Sequence, residues 1–391
     1  MFRYRIDRAC FGVRSMKTNE WRTFAGAVML SATVSALASM TAPALAETLK
    51  DLKCTGNPDI PWDEQIVGCT NAIAAGNYAG KDFFAAFINR GKAYQAKGDV
   101  DHAIADYDQA IRLDLNSARA FNARASAFYF KKVYDRAIAD CTEAIRLDPK
   151  FVFAFSNRGS AYAAIGDLDR AVTDYDQAIR LDPNAAYAFN GRGNAYKVKG
   201  DPDRAIADFD QAIRLDPFYV FAFNNRATAY QAKGNIDRAI ADYDQAIRLD
   251  PNYAVAFNGR GTAYQAKGNI DSAIANYDRA IRLDPNNPDA FDNRGSAYGT
   301  KNDNDRAIVD YDQAIRLDPN DAHTFNNRGN AYAAKKNYGR AIADYDQAVR
   351  LDPNSVATLY NRGKVKQFSG DNAGGDADIA AAKKINPNIG R

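Results

Sequence analysis

The chain has 391 residues, with 51 Lys and Arg against 48 Asp and Glu, a formal net charge of +3, and 46% hydrophobic residues. This composition is typical of a soluble protein and excludes the collagen-like, low-complexity and polytopic membrane classes. Four cysteines are too few for a disulfide scaffold of this size, and two histidines provide little material for a His-based metal or catalytic site.

The first 46 residues have the pattern of a targeting segment. A basic stretch precedes an apolar run of small residues from Phe24 to Met40, and Ala44-Leu45-Ala46 gives a small-x-small cleavage pattern. We therefore expect a signal peptide at 1–46 and a mature chain in the bacterial periplasm, with a mitochondrial transit peptide as the alternative. The run is shorter than the roughly 20 residues of a spanning helix, which argues against a membrane anchor and against stable membrane insertion after cleavage.

The excess positive charge lies in this first segment. Its removal takes away six positive and two negative charges and leaves 45 against 46, a net charge of −1. A protein that binds nucleic acid needs a basic face to neutralise phosphates, so we expect no nucleic-acid partner. Met16, which is followed by Lys17, is an alternative to Met1 as the start of the chain.

An internal repeat of 34 residues organises the rest of the sequence. The tripeptide Asn-Arg-Gly or a close variant recurs with its arginine at the same interval, at Arg90, Arg124, Arg158, Arg192, Arg226, Arg260, Arg294, Arg328 and Arg362. A period of this length indicates an array of stacked units. The nine units are 84–117, 118–151, 152–185, 186–219, 220–253, 254–287, 288–321, 322–355 and 356–389, and residues 47–83 precede them as a degenerate cap.

Each unit contains two helical patterns. In the unit 220–253, apolar residues recur at helical spacing before Gly234 and again, in a wider stripe, from Ile236 to Leu249. Gly234 can adopt the left-handed conformation that ends the first helix. The carboxylate of Asp237 is favourable near the start of the second helix, and Pro251 marks the end of that helix. Neighbouring units must stack, because one unit cannot cover both of its apolar stripes alone.

This pattern resembles that of tetratricopeptide-repeat proteins. With the places of each unit numbered from 1, place 4 is Phe in eight units and Leu359 in the ninth, and place 27 is Ala in all nine. The resemblance implies an all-α, right-handed α-solenoid superhelix of nine helix-turn-helix repeats with degenerate terminal caps. In the last unit, Lys366, Gly375, Asp376 and Lys383 depart from the pattern, as expected of a capping repeat that faces water.

Two of the cysteines, Cys54 and Cys69, lie in the N-terminal cap. An exported protein meets an oxidising compartment, so we predict a disulfide that closes a loop of roughly 15 residues. The alternative is that Cys69, like Cys141, fills place 24 as a small buried apolar group.

Arginine at place 7 is unusual for this family, and an Asp accompanies it at place 23 in eight units, with Asn276 as the exception. We predict repeated structural ion pairs, among them Arg158 with Asp174, Arg192 with Asp208, and Arg226 with Asp242. The alternative is a row of cations that binds an acidic ligand.

In the proteins that this chain resembles, the first helices line a concave groove that binds peptides. Carried onto this sequence, the groove residues are asparagines at places 5 and 6 and aromatic residues at place 2: Asn89, Asn157, Asn190, Asn224, Asn225, Asn258, Asn293, Asn327, Asn361, Phe153, Tyr187 and Phe221. A side-chain amide both donates and accepts, so it suits a peptide backbone of any sequence. The alternatives are that the asparagines are merely solvated and that the aromatic rings are buried between adjacent first helices.

We find no catalytic, phosphate-binding or calcium-binding motif, and His102 and His323 lie in distant units. The sequence therefore predicts a non-enzymatic scaffold without cofactor or metal, which binds a protein or peptide during envelope assembly or secretion. The alternatives are a regulatory subunit of an envelope enzyme complex and a rod that forms by end-to-end stacking of copies of the chain.

Overall fold

The computed structural model describes residues 53–57, 59–75 and 81–390. The expected signal peptide lies outside the described residues. All regular secondary structure within them is α-helical. None of the described helices is long and apolar enough to cross a membrane.

The described helices fall into two compact units, which divide after Leu215. Unit 1 contains α1 (Trp62–Ala75), α2 (Lys81–Lys97), α3 (Val100–Leu113), α4 (Ala118–Phe130), α5 (Tyr134–Leu147), α6 (Val152–Ala164), α7 (Leu168–Leu181), α8 (Ala186–Val198) and α9 (Pro202–Leu215). Unit 2 contains α10 (Val220–Ala232), α11 (Ile236–Leu249), α12 (Ala254–Ala266), α13 (Ile270–Leu283), α14 (Pro288–Thr300), α15 (Asn304–Leu317), α16 (Ala322–Ala334), α17 (Tyr338–Leu351), α18 (Val356–Phe368) and α19 (Asn372–Ile385).

Within each unit, every helix packs against the next one along the chain, and the even-numbered helices also contact each other. We call an even-numbered helix the first helix of its pair and the following one the second helix. The fold is therefore an α-solenoid in each unit, built by stacking of helix pairs.

The turns within the pairs follow from local backbone chemistry. Gly234 has φ +75°, the left-handed conformation that was predicted for it. At the corresponding turn after α4, Lys132 adopts φ 63° without being glycine. In the second helix α7, the cap is Asp167, whose carboxylate accepts the backbone N–H of Arg170 at 3.1 Å. Asp237 lies in the first turn of α11, at the start of the second helix as predicted, and forms an ion pair with Lys267 at 2.6 Å.

Small residues allow the helix pairs to approach closely. Ala246 in α11 is completely buried. We expect Ala246→Leu to destabilise unit 2 by about 1 to 3 kcal/mol, since the added carbons have no space in a packed core. Ala232 lies on the exposed end of α10 and provides the control, because Ala232→Leu adds the same side-chain carbons at a solvent-exposed position. Chemical unfolding of the two variants measures the difference, and equal stabilities would contradict the packing account.

Candidate functional site

Most arginines at place 7 join three helices. Arg192 on α8 donates from Nε and Nη2 to the two carboxylate oxygens of Asp208 on α9, at 2.9 and 2.7 Å. Its Nη1 donates to Asp176 on the preceding second helix, α7, at 2.5 Å. The guanidinium also lies over the Phe189 ring, 5.5 Å from its centroid. We call this arrangement the arginine clamp.

The bidentate pairing with the place-23 aspartate recurs in both units, and it brings together the pairs that were predicted. Arg158 donates to both oxygens of Asp174 at 2.8 Å, and Arg226 donates to those of Asp242 at 2.6 and 2.7 Å. The hydrogen bond to Asp140 is the main reason that the pKa of Arg124 rises above its ordinary value. These arginines are therefore occupied by aspartates of the chain, which favours the structural interpretation over a row of cations for an acidic ligand.

Sequence reasoning missed the second aspartate of the clamp. It is at place 25, and its members bind the arginine of the following helix pair: Asp108, Asp176, Asp244, Asp278, Asp312 and Asp346. The recurrence of Asp at this place was the available signal. Where Asn276 replaces the aspartate at place 23, Arg260 keeps one bond to the Asn276 carbonyl oxygen at 2.8 Å and its contact with Asp244.

The asparagines predicted to face a peptide form contacts between successive first helices. The amide Nδ2 of Asn157 on α6 donates to Oδ1 of Asn122 on α4 at 2.9 Å, so place 6 donates to place 5 of the preceding pair. The same contact recurs in unit 2 from Asn293 to Asn258, from Asn327 to Asp292, and from Asn361 to Asn326, at 3.1, 3.1 and 3.2 Å. We call this series the asparagine ladder.

The ladder gives the amides of Asn157, Asn293, Asn327 and Asn361 a partner within the chain. Asn157, Asn190, Asn224 and Asn225 are buried, and Asn89 is buried with its amide on the carbonyl of Cys54 at 3.0 Å. Asn258, Asn293, Asn327 and Asn361 are half-buried. Closely packed first helices exclude water, so a hydrogen bond to the neighbouring helix satisfies a buried amide donor. A contact of any of them with a ligand stays a prediction.

A second polar network links the first helices and was not found from the sequence. The Tyr107 hydroxyl donates to Gln95 Oε1 at 3.1 Å, and Gln95 Nε2 donates to Ser126 Oγ of the next first helix at 2.8 Å. In unit 2, the same chains run through Tyr243, Gln231 and Thr262 and through Tyr277, Gln265 and Ser296. These contacts fix the spacing between neighbouring first helices.

The aromatic residues at place 2 lie on the surface of the first helices. Phe153 is 44% exposed and stacks on Tyr187, with ring centroids 5.1 Å apart and planes 9° from parallel. In unit 2, the half-buried Phe221 meets the edge of Tyr253 at 5.4 Å. We call the surface of the even-numbered helices that carries these rings the first-helix face, considered in each unit by itself. An exposed, rigid ring is the type of side chain that anchors protein interfaces.

The N-terminal cap is covalently closed. Cys54 and Cys69 form a disulfide with a sequence separation of 15 residues, and both are fully buried. Cys141 is a free, buried thiol, and burial raises its pKa. Within the described residues, no three His, Cys, Asp or Glu side chains are grouped so that they could hold a metal ion.

Comparison with protein families gives matches along both units. A family model described as TPR repeat matches residues 91–132, 159–200, 229–268, 263–302, 300–336 and 329–369. Models described as tetratricopeptide repeat match residues 118–151, 186–219 and 209–241. None of the curated proteins compared with the sequence matches it significantly.

Solved structures share the fold at low sequence identity. The Cut9–Hcn1 hetero-tetramer of the APC/C matches with a TM-score of 0.57 and 16% identity, over 87% of this chain and 85% of that chain. An IFIT1 monomeric mutant with Gppp-AAAA matches with a TM-score of 0.56 and 14% identity, over 83% and 87%. A tetratricopeptide repeat protein from Parabacteroides merdae matches with a TM-score of 0.51 and 20% identity, over 63% and 98%.

Proposed function

The chain belongs to the tetratricopeptide-repeat family, and on that premise we propose that it is a non-enzymatic scaffold that binds a protein or peptide on its first-helix face. The role is in the assembly or secretion of envelope components. The partner contacts the aromatic residues at place 2, whereas the arginine clamp and the asparagine ladder hold the repeats in register. One observation carries the proposal: Phe153 is held in a stack with Tyr187 and still exposes 44% of its surface.

Two observations support a place of action outside the cytoplasm. The sequence begins with a segment of signal-peptide pattern. A disulfide such as that between Cys54 and Cys69 is typical of proteins in an oxidising compartment, since cytosolic thiols are normally kept reduced. The proposed location is therefore the bacterial periplasm.

The binding surface is tested by truncating its rings. We expect Phe153→Ala to weaken capture of the partner from envelope extract by about tenfold or more, because an interface anchor is worth about 1 to 2 kcal/mol or more. Val309 on the second helix α15 is 65% exposed, so Val309→Ala is the matched control and is expected to capture normally. Equal capture by the wild type and both variants would contradict the assignment of the surface.

A further inference from the structure

One acceptor of the asparagine ladder carries a charge that the ladder does not need. Place 5 is asparagine in five of the nine units, whereas on α14 it is Asp292. Asn327 Nδ2 on α16 donates to both carboxylate oxygens of Asp292, at 3.1 and 3.4 Å. Elsewhere in unit 2, Asn258 and Asn326 accept the same kind of bond with a neutral amide oxygen. The ladder therefore requires an acceptor at place 5 but no negative charge.

The carboxylate of Asp292 is largely withdrawn from water and has no permanent counter-ion. Its side chain is 13% exposed. Burial raises the pKa of Asp292, and the negative charge of Asp321 acts in the same direction. Within the described residues, no lysine or arginine contacts this carboxylate. A poorly hydrated charge without a counter-ion is costly, and a sequence that departs from its own pattern at such a cost does so most often at a functional site.

A histidine lies beside the carboxylate without bonding to it. Nε2 of His323 on α16 is 3.8 Å from Oδ2 of Asp292, which is beyond hydrogen-bond distance. The His323 side chain is 71% exposed, and a histidine is only partly charged near neutral pH. In the part of the chain that the structure describes, this imidazole makes no hydrogen bond. The ring can therefore turn into solvent at little cost and leave Oδ2 open on the first-helix face.

The surroundings of Asp292 on the first-helix face favour a cation. Asp289 lies one helical turn earlier on α14 and is exposed, and Asp321 is the N-cap of α16. The place-2 residues of the preceding first helices of unit 2, Phe221 and Val255, are apolar. A segment that lies along these helices thus meets apolar side chains and then carboxylates, so a basic residue complements its end at α14 and α16.

We propose that Asp292 binds a lysine or arginine side chain of the partner. The cationic group donates to Oδ2 of Asp292 from the side that His323 leaves, while Asn327 continues to hold the carboxylate in place. This inference rests on the proposed function of the first-helix face, and it assigns to the partner a basic residue at the position that meets α14 and α16.

The test selects peptides from a library of random dodecapeptides displayed on phage, with the full mature chain as the target. We expect the selected peptides to share a lysine or arginine at one position. One of them is then synthesised with lysine and with norleucine at that position, because norleucine keeps the apolar stem and removes the charge. Calorimetric titration should show about tenfold or more weaker binding of the norleucine peptide, as for a lost hydrogen bond between charged groups.

Two variants of the chain separate the subsite from the general charge of the face. Asp292→Asn introduces the ladder's own residue, so it keeps an acceptor for Asn327 and is expected to fold, with amide exchange of α14 and α16 as slow as in the wild type or slower. It should bind the lysine peptide about tenfold more weakly and no longer distinguish it from the norleucine peptide. Asp289→Asn removes the same charge from an exposed place on the same helix and should change the affinity by less than about threefold.

Three results would overturn the inference. The first is a selection that yields no peptides or peptides without a shared basic residue, and the second is equal weakening by Asp289→Asn and Asp292→Asn. The third is faster amide exchange of α14 and α16 in Asp292→Asn, which would assign the carboxylate to an internal ion pair with His323. Crosslinking from Phe153 on α6 does not depend on Asp292, so failure of the proposed function and failure of this inference are distinguishable.

Discussion

Arg192→Ala is expected to destabilise the α8–α9 pair by about 3 kcal/mol, one of the largest effects of a single substitution in unit 1. The change leaves the carboxylate of Asp208, whose side chain is 8% exposed, without its two charge-assisted hydrogen bonds. It also removes the contact to Asp176 that joins α8 to the preceding pair. Because repeat arrays do not always unfold in one step, amide hydrogen exchange of α8 and α9 is the appropriate measurement.

The control is Arg180, an exposed arginine of α7 that donates to Gln177 of the same helix. Arg180→Ala is expected to change stability by less than about 0.5 kcal/mol. The double variant Arg192→Met with Asp208→Leu is expected to recover most of the loss, since it removes the unpaired charge along with its partner. An effect of Arg192→Ala no larger than that of Arg180→Ala would contradict the structural role of the clamp.

Cys54→Ser is expected to destabilise the N-terminal cap by about 3 kcal/mol. The disulfide closes a 15-residue separation and holds residues 53–57 against α1 and α2, where the Cys54 carbonyl accepts from Asn89. Without this closure, α1 should exchange its amide hydrogens much faster, whereas α4 to α9 should change little.

A reducing agent provides the internal control. It should lower the unfolding temperature of the cap in the wild type and have no further effect on Cys54→Ser. Cys141 is a free, buried thiol, so a reducing agent has no disulfide to break there. A wild type that is insensitive to reduction would rule out a stabilising disulfide.

The periodic features were predictable from the sequence because the fold depends on them at every repeat. The all-α fold follows from residues such as Ala246, which must be small for helices to pack, and Gly234, which must adopt positive φ. The place-23 partners of the arginines were predictable for the same reason, since a half-buried guanidinium needs a carboxylate in reach.

The contacts between neighbouring helix pairs were not predictable from the repeat pattern. Asn157 donating to Asn122 requires the distance between first helices, which periodicity does not provide. The recurrence of Asp at place 25 signals a role for Asp176, but it does not indicate that this residue binds an arginine of the following pair. The asparagines were therefore expected to contact a ligand, while the structure pairs the amides of Asn157, Asn293, Asn327 and Asn361 with neighbouring repeats. The positive φ of Lys132 was also not predictable, because the residue at this turn is not glycine.

The most direct test of a partner-binding first-helix face is site-specific photocrosslinking. A benzoylphenylalanine placed at Phe153 or Phe221 reports contacts of the first helices, and one placed at Val309 reports contacts of the exposed second helix α15. The account predicts that the first two positions crosslink a common protein in the envelope and that Val309 does not. Crosslinks of the same protein from Val309, with none from Phe153 or Phe221, would contradict it.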